Sequence, residues 1–293
     1  MHNPPFDPPR GLRLTAGLML SALFLCQGST YAQEEGQKRP PSAAELLTQA
    51  REKIEGYRTL RARMIEQIEV EGEKVVAKGV YLQGANNRLR LELKVDTGLI
   101  DAKLLQVCDG DILWTTYEIG ETKRILRRDV RNILRSANAR GPSLTTALVA
   151  DLGLGGLPAM LASIQKYHQL GNVEEIKLKG RNFYRLTGRW KEALVEEWAA
   201  NSGYRRSFEH IPEIVEVFIE RNELFPYRVR YWKVDDAGER RPVITIDFRD
   251  VVVNSSIDPS EFAYVPADSS QVQDITGLYL QKLQGPAPTP GSN

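Results

Sequence analysis

Apolar and charged positions alternate strictly over Arg88-Leu89-Arg90-Leu91-Glu92-Leu93-Lys94-Val95, a pattern that predicts a strand with one dry and one wet face. The same period of two recurs over 62–71, 74–83, 103–108, 111–118 and 122–127, and again over 173–179, 182–188, 213–221, 226–234 and 242–252. Together with 87–95 these make about eleven strands. Glu71-Gly72, Asn86-Asn87 and Asp109-Gly110 separate the early ones by turns short enough for antiparallel hairpins. Ahead of the first strand the period is helical: Ala43, Leu46, Leu47, Ala50, Ile54 and Tyr57 form a stripe, with Ser42 as N-cap and Glu45 as its capping partner.

Two further helical stripes interrupt the strands within 142–168. The first carries Leu144, Ala147, Leu148 and Leu152, and the second Leu157, Met160, Leu161, Ile164 and Tyr167. Gly153-Leu154-Gly155-Gly156 between them reads as a hinge. A second insert, 189–212, opens with helical WKEALVEEWAA, where Trp190, Leu194 and Trp198 recur at helical spacing. That stripe either packs on the sheet or faces outward as a docking patch. No repeat or linker divides 42–275, which reads as one domain between a flexible segment at 33–41 and a flexible tail at 276–293. The fold class is α+β and mainly antiparallel β: a large curved sheet with the N-terminal helix and the inserted helical pair against one face.

The front of the chain adds an address. Arg10 and Arg13 precede the uncharged apolar run LTAGLMLSALFL, and a small residue, Ala32, follows before Gln33-Glu34-Glu35. This is the layout of a secretory signal peptide cleaved near Ala32. A permanent anchor needs about 18 apolar residues or more, and a lipoprotein site at Cys26 would carry a small residue where Leu25 stands. The expected location is therefore exported and periplasmic.

Charge and composition then exclude chemistry. The 293 residues carry a formal net charge of +1, which falls to zero once residues 1–32 are removed, so nucleic acid is not an expected partner. With Cys26 in the leader, Cys108 is the one thiol of the mature chain and reads as a buried strand cysteine. His168 and His210 lack partners at ligand or catalytic spacing, so no metal, cofactor or catalytic residue is expected. There is no Gly-x-Ser-x-Gly elbow, and the Gly153–Gly156 stretch lacks the Lys-Ser/Thr of a phosphate loop. The basic run Lys123-Arg124-Ile125-Leu126-Arg127-Arg128, with Arg131 and Arg135, reads as a solvated strand face.

Several strings in this order carry a family resemblance. They are Val107-Cys108-Asp109-Gly110-Asp111-Ile112-Leu113-Trp114, then Leu157-Pro158-Ala159-Met160-Leu161 in the inserted helices, then Phe248-Arg249-Asp250-Val251 to Asn254, Ile257-Asp258 and Phe262-Ala263-Tyr264-Val265-Pro266. The chain from 42 to about 275 resembles the LolA/LolB-like outer-membrane lipoprotein carrier superfamily. The resemblance implies an incomplete barrel of about eleven strands, covered by the N-terminal helix and a helical lid, that binds acyl chains of lipids or lipoproteins without catalysis. It also implies, as an alternative, a lipid-sensing regulatory module of the same fold that binds an envelope membrane protein. A monomer is expected.

On this reading Leu89, Leu91, Leu93, Val107 and Leu113 line the apolar cavity, and Leu144, Leu148, Leu157, Met160, Leu161 and Ile164 form the lid. Such carriers hold a basic residue that hydrogen-bonds to lid backbone. Gly84 stands where that residue aligns, with Arg88 as the substitute for a headgroup or lid contact. This departure and the 189–212 insert point to a divergent member whose cargo need not be a lipoprotein.

Overall fold

The computed structural model describes residues 41–70, 72–96, 101–139, 141, 152–200, 211–235 and 237–284. Helix α1 (Ala43–Glu55) begins with the expected capping box: Glu45 N–H donates to Ser42 Oγ at 3.3 Å, and Ser42 N–H donates to the Glu45 carboxylate at 2.7 Å. A meander follows, β1 (Thr59–Val70), β2 (Glu73–Gly84), β3 (Leu89–Asp96), β4 (Asp101–Cys108), β5 (Ile112–Ile119) and β6 (Thr122–Asp129). Helices α2 (Val130–Asn138) and α3 (Gly156–Tyr167) lead to β7 (His168–Leu170), β8 (Glu174–Leu178) and β9 (Arg181–Trp190). Helix α4 (Glu192–Ala200), β10 (Ile214–Glu220), β11 (Pro226–Val234), β12 (Arg240–Val253), β13 (Val272–Asp274) and α5 (Thr276–Gln284) complete the chain.

All eleven expected strands are present, and the three-residue β7 and β13 raise the sheet to thirteen. Its order is β13-β6-β5-β4-β3-β2-β1-β12-β11-β10-β9-β7, with β8 paired to β9 off this path. The sheet does not close, so the architecture is an open half-barrel. Long β12 joins the two halves by pairing with β1 on one side and β11 on the other, through Glu66↔Ile246 and Val229↔Ile246.

Helices cover one face, called here the inner face. Ala43, Leu46, Leu47, Ala50 and Ile54 of α1 share a core with Leu157, Leu161 and Ile164 of α3 and with Leu60, Ala62, Met64, Leu89 and Val217 of the sheet. Gln165 ties the two helices, its amide donating to Ala44 O at 3.3 Å and Thr48 Oγ1 at 3.2 Å. Over the β5–β6 end, α2 and α5 add Val130, Ile133, Ala137 and Leu283 to the same core.

Three expectations are corrected. The basic run from Lys123 to Arg135 is not one strand face, because Asp129 ends β6 and caps α2 by accepting from Asn132 N–H at 2.9 Å. Three of its cations are in ion pairs: Lys123 with Glu118 at 2.7 Å, Arg127 with Asp274 and Arg131 with Asp111. Trp190 ends β9 rather than starting the insert helix, which begins at Glu192, so the Trp190-Leu194-Trp198 stripe does not form. Its indole stacks on His168 at 4.0 Å between ring centroids, and its N–H donates to Pro212 O at 2.7 Å. Finally, residues 276–284 form α5 with Leu283 buried, where a tail was expected. The leader, residues 33–40, Leu144 and Leu148 lie outside the described residues.

Candidate functional site: the inner face and its helical cover

Register decides which side chains share the inner face. Leu89 pairs with Cys108 and Cys108 with Leu113, so Leu89 and Leu113 lie together as expected. Leu91 pairs with Gln106 and Leu93 with Leu104, which puts those four on the same face. Val107 is the correction. It pairs with Arg90 and Trp114 and belongs to the opposite, outer face, because a one-residue offset along β4 flips the side chain.

The outer face has its own small core there. Leu82, Leu105, Val107 and Ile125 are buried beneath the segment that follows β12. That segment is a strap built by the closing string of the sequence. Arg58 N–H donates to Asn254 Oδ1 at 2.9 Å, and Asp258 caps a 3-10 turn (Pro259–Phe262) by accepting from Ser260 N–H at 2.9 Å. Phe262 is then buried and Tyr264 packs tilted against Trp114, with ring centroids 5.5 Å apart. A Cβ on Gly84 would come within 3.3 Å of the Phe262 ring, so the glycine at this position makes room for the strap. Arg90, on the outer face, donates to Glu261 O at 3.1 Å and pairs with Glu92 at 2.8 Å. Burial raises the Glu92 pKa, but the Arg90 hydrogen bond and the nearby Lys103 and Lys94 outweigh it and hold the group at about 2.

Arg88 does not reach the lid: its Nε donates to Asp109 O at 3.3 Å, bracing the β4–β5 turn. The contact with α3 comes instead from Tyr81. Its hydroxyl accepts from Leu157 N–H at 3.1 Å and donates to Gln83 Oε1 at 2.8 Å. Gly156 has φ +49, and a Cβ there would lie 2.0 Å from Tyr81 Oη, so only glycine allows this approach. Leu157, Leu161 and Ile164 of the expected lid are buried, and Met160 is half-buried against the same core. Each fully buried aliphatic contributes about 1.5–3 kcal/mol, against roughly 1 kcal/mol for a hydrogen bond. Apolar burial therefore holds α3 down, and Tyr81 fixes where its first turn sits.

The cover is uneven along the strands, with Leu93 buried between part-buried Leu91 and Val95. Leu60, Leu89, Cys108 and Leu113, which share one row with part-buried Gln83, are themselves buried. Further along the inner face, Leu91, Leu104, Val95, Ile246 and Tyr231 are only part-buried, and Tyr117 is 41% exposed. Glu66 lies among them, with its pKa raised by burial.

Reactive groups are muted. Burial pushes the Cys108 thiol up to about 12. His168, at the C-terminal end of α3, is buried with its pKa lowered by desolvation, against the opposing effect of its Nδ1 contact to Ile164 O at 3.2 Å. Among the described residues no group of three or more His, Cys, Asp or Glu is arranged to hold a metal ion, and no helix is long and apolar enough to cross a membrane.

No protein-family model matches the chain, and no curated protein is significantly similar to it in sequence. Among solved structures it is similar to LprF from Mycobacterium bovis, at 11% identity over 73% of this chain and 94% of that one, with a TM-score of 0.37. A LolA superfamily protein from Nitrosomonas europaea is similar at 11% identity over 77% of this chain and 99% of that one, with a TM-score of 0.30. The MucA/MucB complex of Pseudomonas aeruginosa is similar at 10% identity and a TM-score of 0.33, over 76% of this chain; the match spans 60% of the length of that chain.

Proposed function

We propose that this protein is an exported carrier or chaperone that binds acyl chains of lipids or lipoproteins on the inner face of its half-barrel, with α3 as the lid and no covalent chemistry. One observation carries this reading. On the apolar inner face, beside buried Met64, Ala77 and Leu93, the side chains of Leu91, Leu104, Val95, Ile246 and Tyr231 are left partly open to solvent. A packed scaffold buries such residues, whereas an acyl chain laid on them gains about 0.8 kcal/mol per methylene removed from water.

Native mass spectrometry of the exported chain tests it. Bound lipid, displaced by a fluorescent fatty acid, is the expected result. A protein that carries no lipid and takes up no fatty acid would overturn the carrier reading, and a pull-down that then captured an envelope membrane protein would favour a regulatory module instead.

A further inference from the structure

Glu66 interrupts the apolar inner face. Register places it level with Ile246 and Ala77 on the neighbouring strands, and the same row runs outward to Val229, Val217, Val95 and Ala102. Met64 and Ile68 flank it on its own strand and share its face. Its carboxylate makes no hydrogen bond or ion pair with any described residue, unlike the other sheltered acids of the sheet. Glu92 holds Arg90, Glu216 accepts from Trp232 Nε1 at 2.8 Å, and Asp247 is gripped by Arg228. Glu220 accepts from Asn222 and Glu223 N–H. A part-buried carboxylate without a partner is costly in an apolar setting. The rise in its pKa has burial as its cause.

We infer that Glu66 is a polar anchor for the head of a bound amphiphile, and that the head it takes is an ammonium group. This rests on the acyl-binding reading of the inner face and names its ligand class. A phosphate or carboxylate head would be repelled by the carboxylate. A hydroxyl would give it a neutral hydrogen bond, and an ammonium a charge-assisted one of roughly twice that strength.

Three probes of equal chain length separate the possibilities: dodecylamine, dodecanol and dodecanoate, each titrated calorimetrically below its micelle concentration. The mature chain, its Glu66→Gln variant and an exposed control, Glu73→Gln, are compared, with melts to confirm folding. The amine should bind the wild type about tenfold or more tighter than the alcohol, and dodecanoate weakest. Glu66→Gln should bring amine and alcohol within about threefold, through loss of amine affinity alone, and Glu73→Gln should behave as wild type. Equal binding of amine and alcohol by the wild type, or an amine preference that survives Glu66→Gln, would overturn the anchor and leave the carrier reading standing. If none of the three binds, both fall.

Discussion

Tyr81 on β2 and Leu157 at the start of α3, 76 positions apart in the chain, are joined by a hydrogen bond from the Leu157 amide to the Tyr81 hydroxyl at 3.1 Å. The phenol is buried and neutral, its pKa raised by burial. It satisfies one of the amides that the first turn of a helix leaves without an intrahelical acceptor. The helix has no side-chain cap of its own, since its N-cap is Gly155.

Tyr81→Phe should therefore cost about 0.5–1.5 kcal/mol in denaturant melts. It should also speed hydrogen exchange at the first turn of α3 while leaving α1 protected. Gly156→Ala should cost more, because the new methyl meets the Tyr81 oxygen at 2.0 Å and the backbone there has φ +49. The two changes should couple: in the Tyr81→Phe background the nearest ring atom, Cζ, lies 3.3 Å away, so Gly156→Ala should cost less there. Additive losses would place the clash elsewhere.

The two faces of the sheet should respond oppositely to added charge. Val95→Glu puts a second carboxylate on the open inner strip and should abolish fatty-acid uptake without unfolding the protein. Lys78→Glu, on the outer face where Lys78 is exposed, should leave uptake unchanged. Uptake assays on the two variants check the assignment directly.

Phe262, the last residue of the strap's 3-10 turn, is 4% exposed. Phe262→Ala should destabilise by about 3–5 kcal/mol. It should also open the 255–284 segment to limited proteolysis before the rest of the chain is cut.

His168 predicts an acid-sensitive core. Its pKa is lowered below 6.5 by burial, so the folded state binds a proton less readily than the unfolded one. The stability this contributes is complete above about 6.5 and is lost as pH falls through the lowered folded value. Melts of His168→Phe should therefore show a flatter pH dependence than wild type in that window. An identical slope in both would assign the acid response to other groups.

The strands were readable because each is long enough for alternation to repeat, as at Arg88–Val95. The misses have local causes. Strands β7 and β13 are three residues each, too short for a period of two to show. Helix α2 was hidden because the cations before and after Asp129 look alike, although Asp129 three residues ahead of Asn132 was an available N-cap signal. Val107 was assigned to the wrong face because alternation within β4 fixes which residues share a side, while the side itself is set by the pairing of Leu89 with Cys108. The Tyr81 contact depends on chain segments far apart in sequence, and no spacing rule reaches it.

Strand β13 bears on how an open sheet avoids copies of itself. A half-barrel ends in rows of unpaired backbone donors and acceptors, which template fibrous association. Here the chain, after crossing the outer face, lays Val272–Asp274 parallel along Ile125–Arg127 of β6, and the Arg127–Asp274 ion pair holds it in place. At the opposite limit the sheet ends in three-residue β7 and five-residue β8, both paired to β9, so a foreign strand finds only short, broken edges to extend. The C-terminal stretch thus serves as an edge guard, letting a sheet that does not close on itself stay shut to polymerisation.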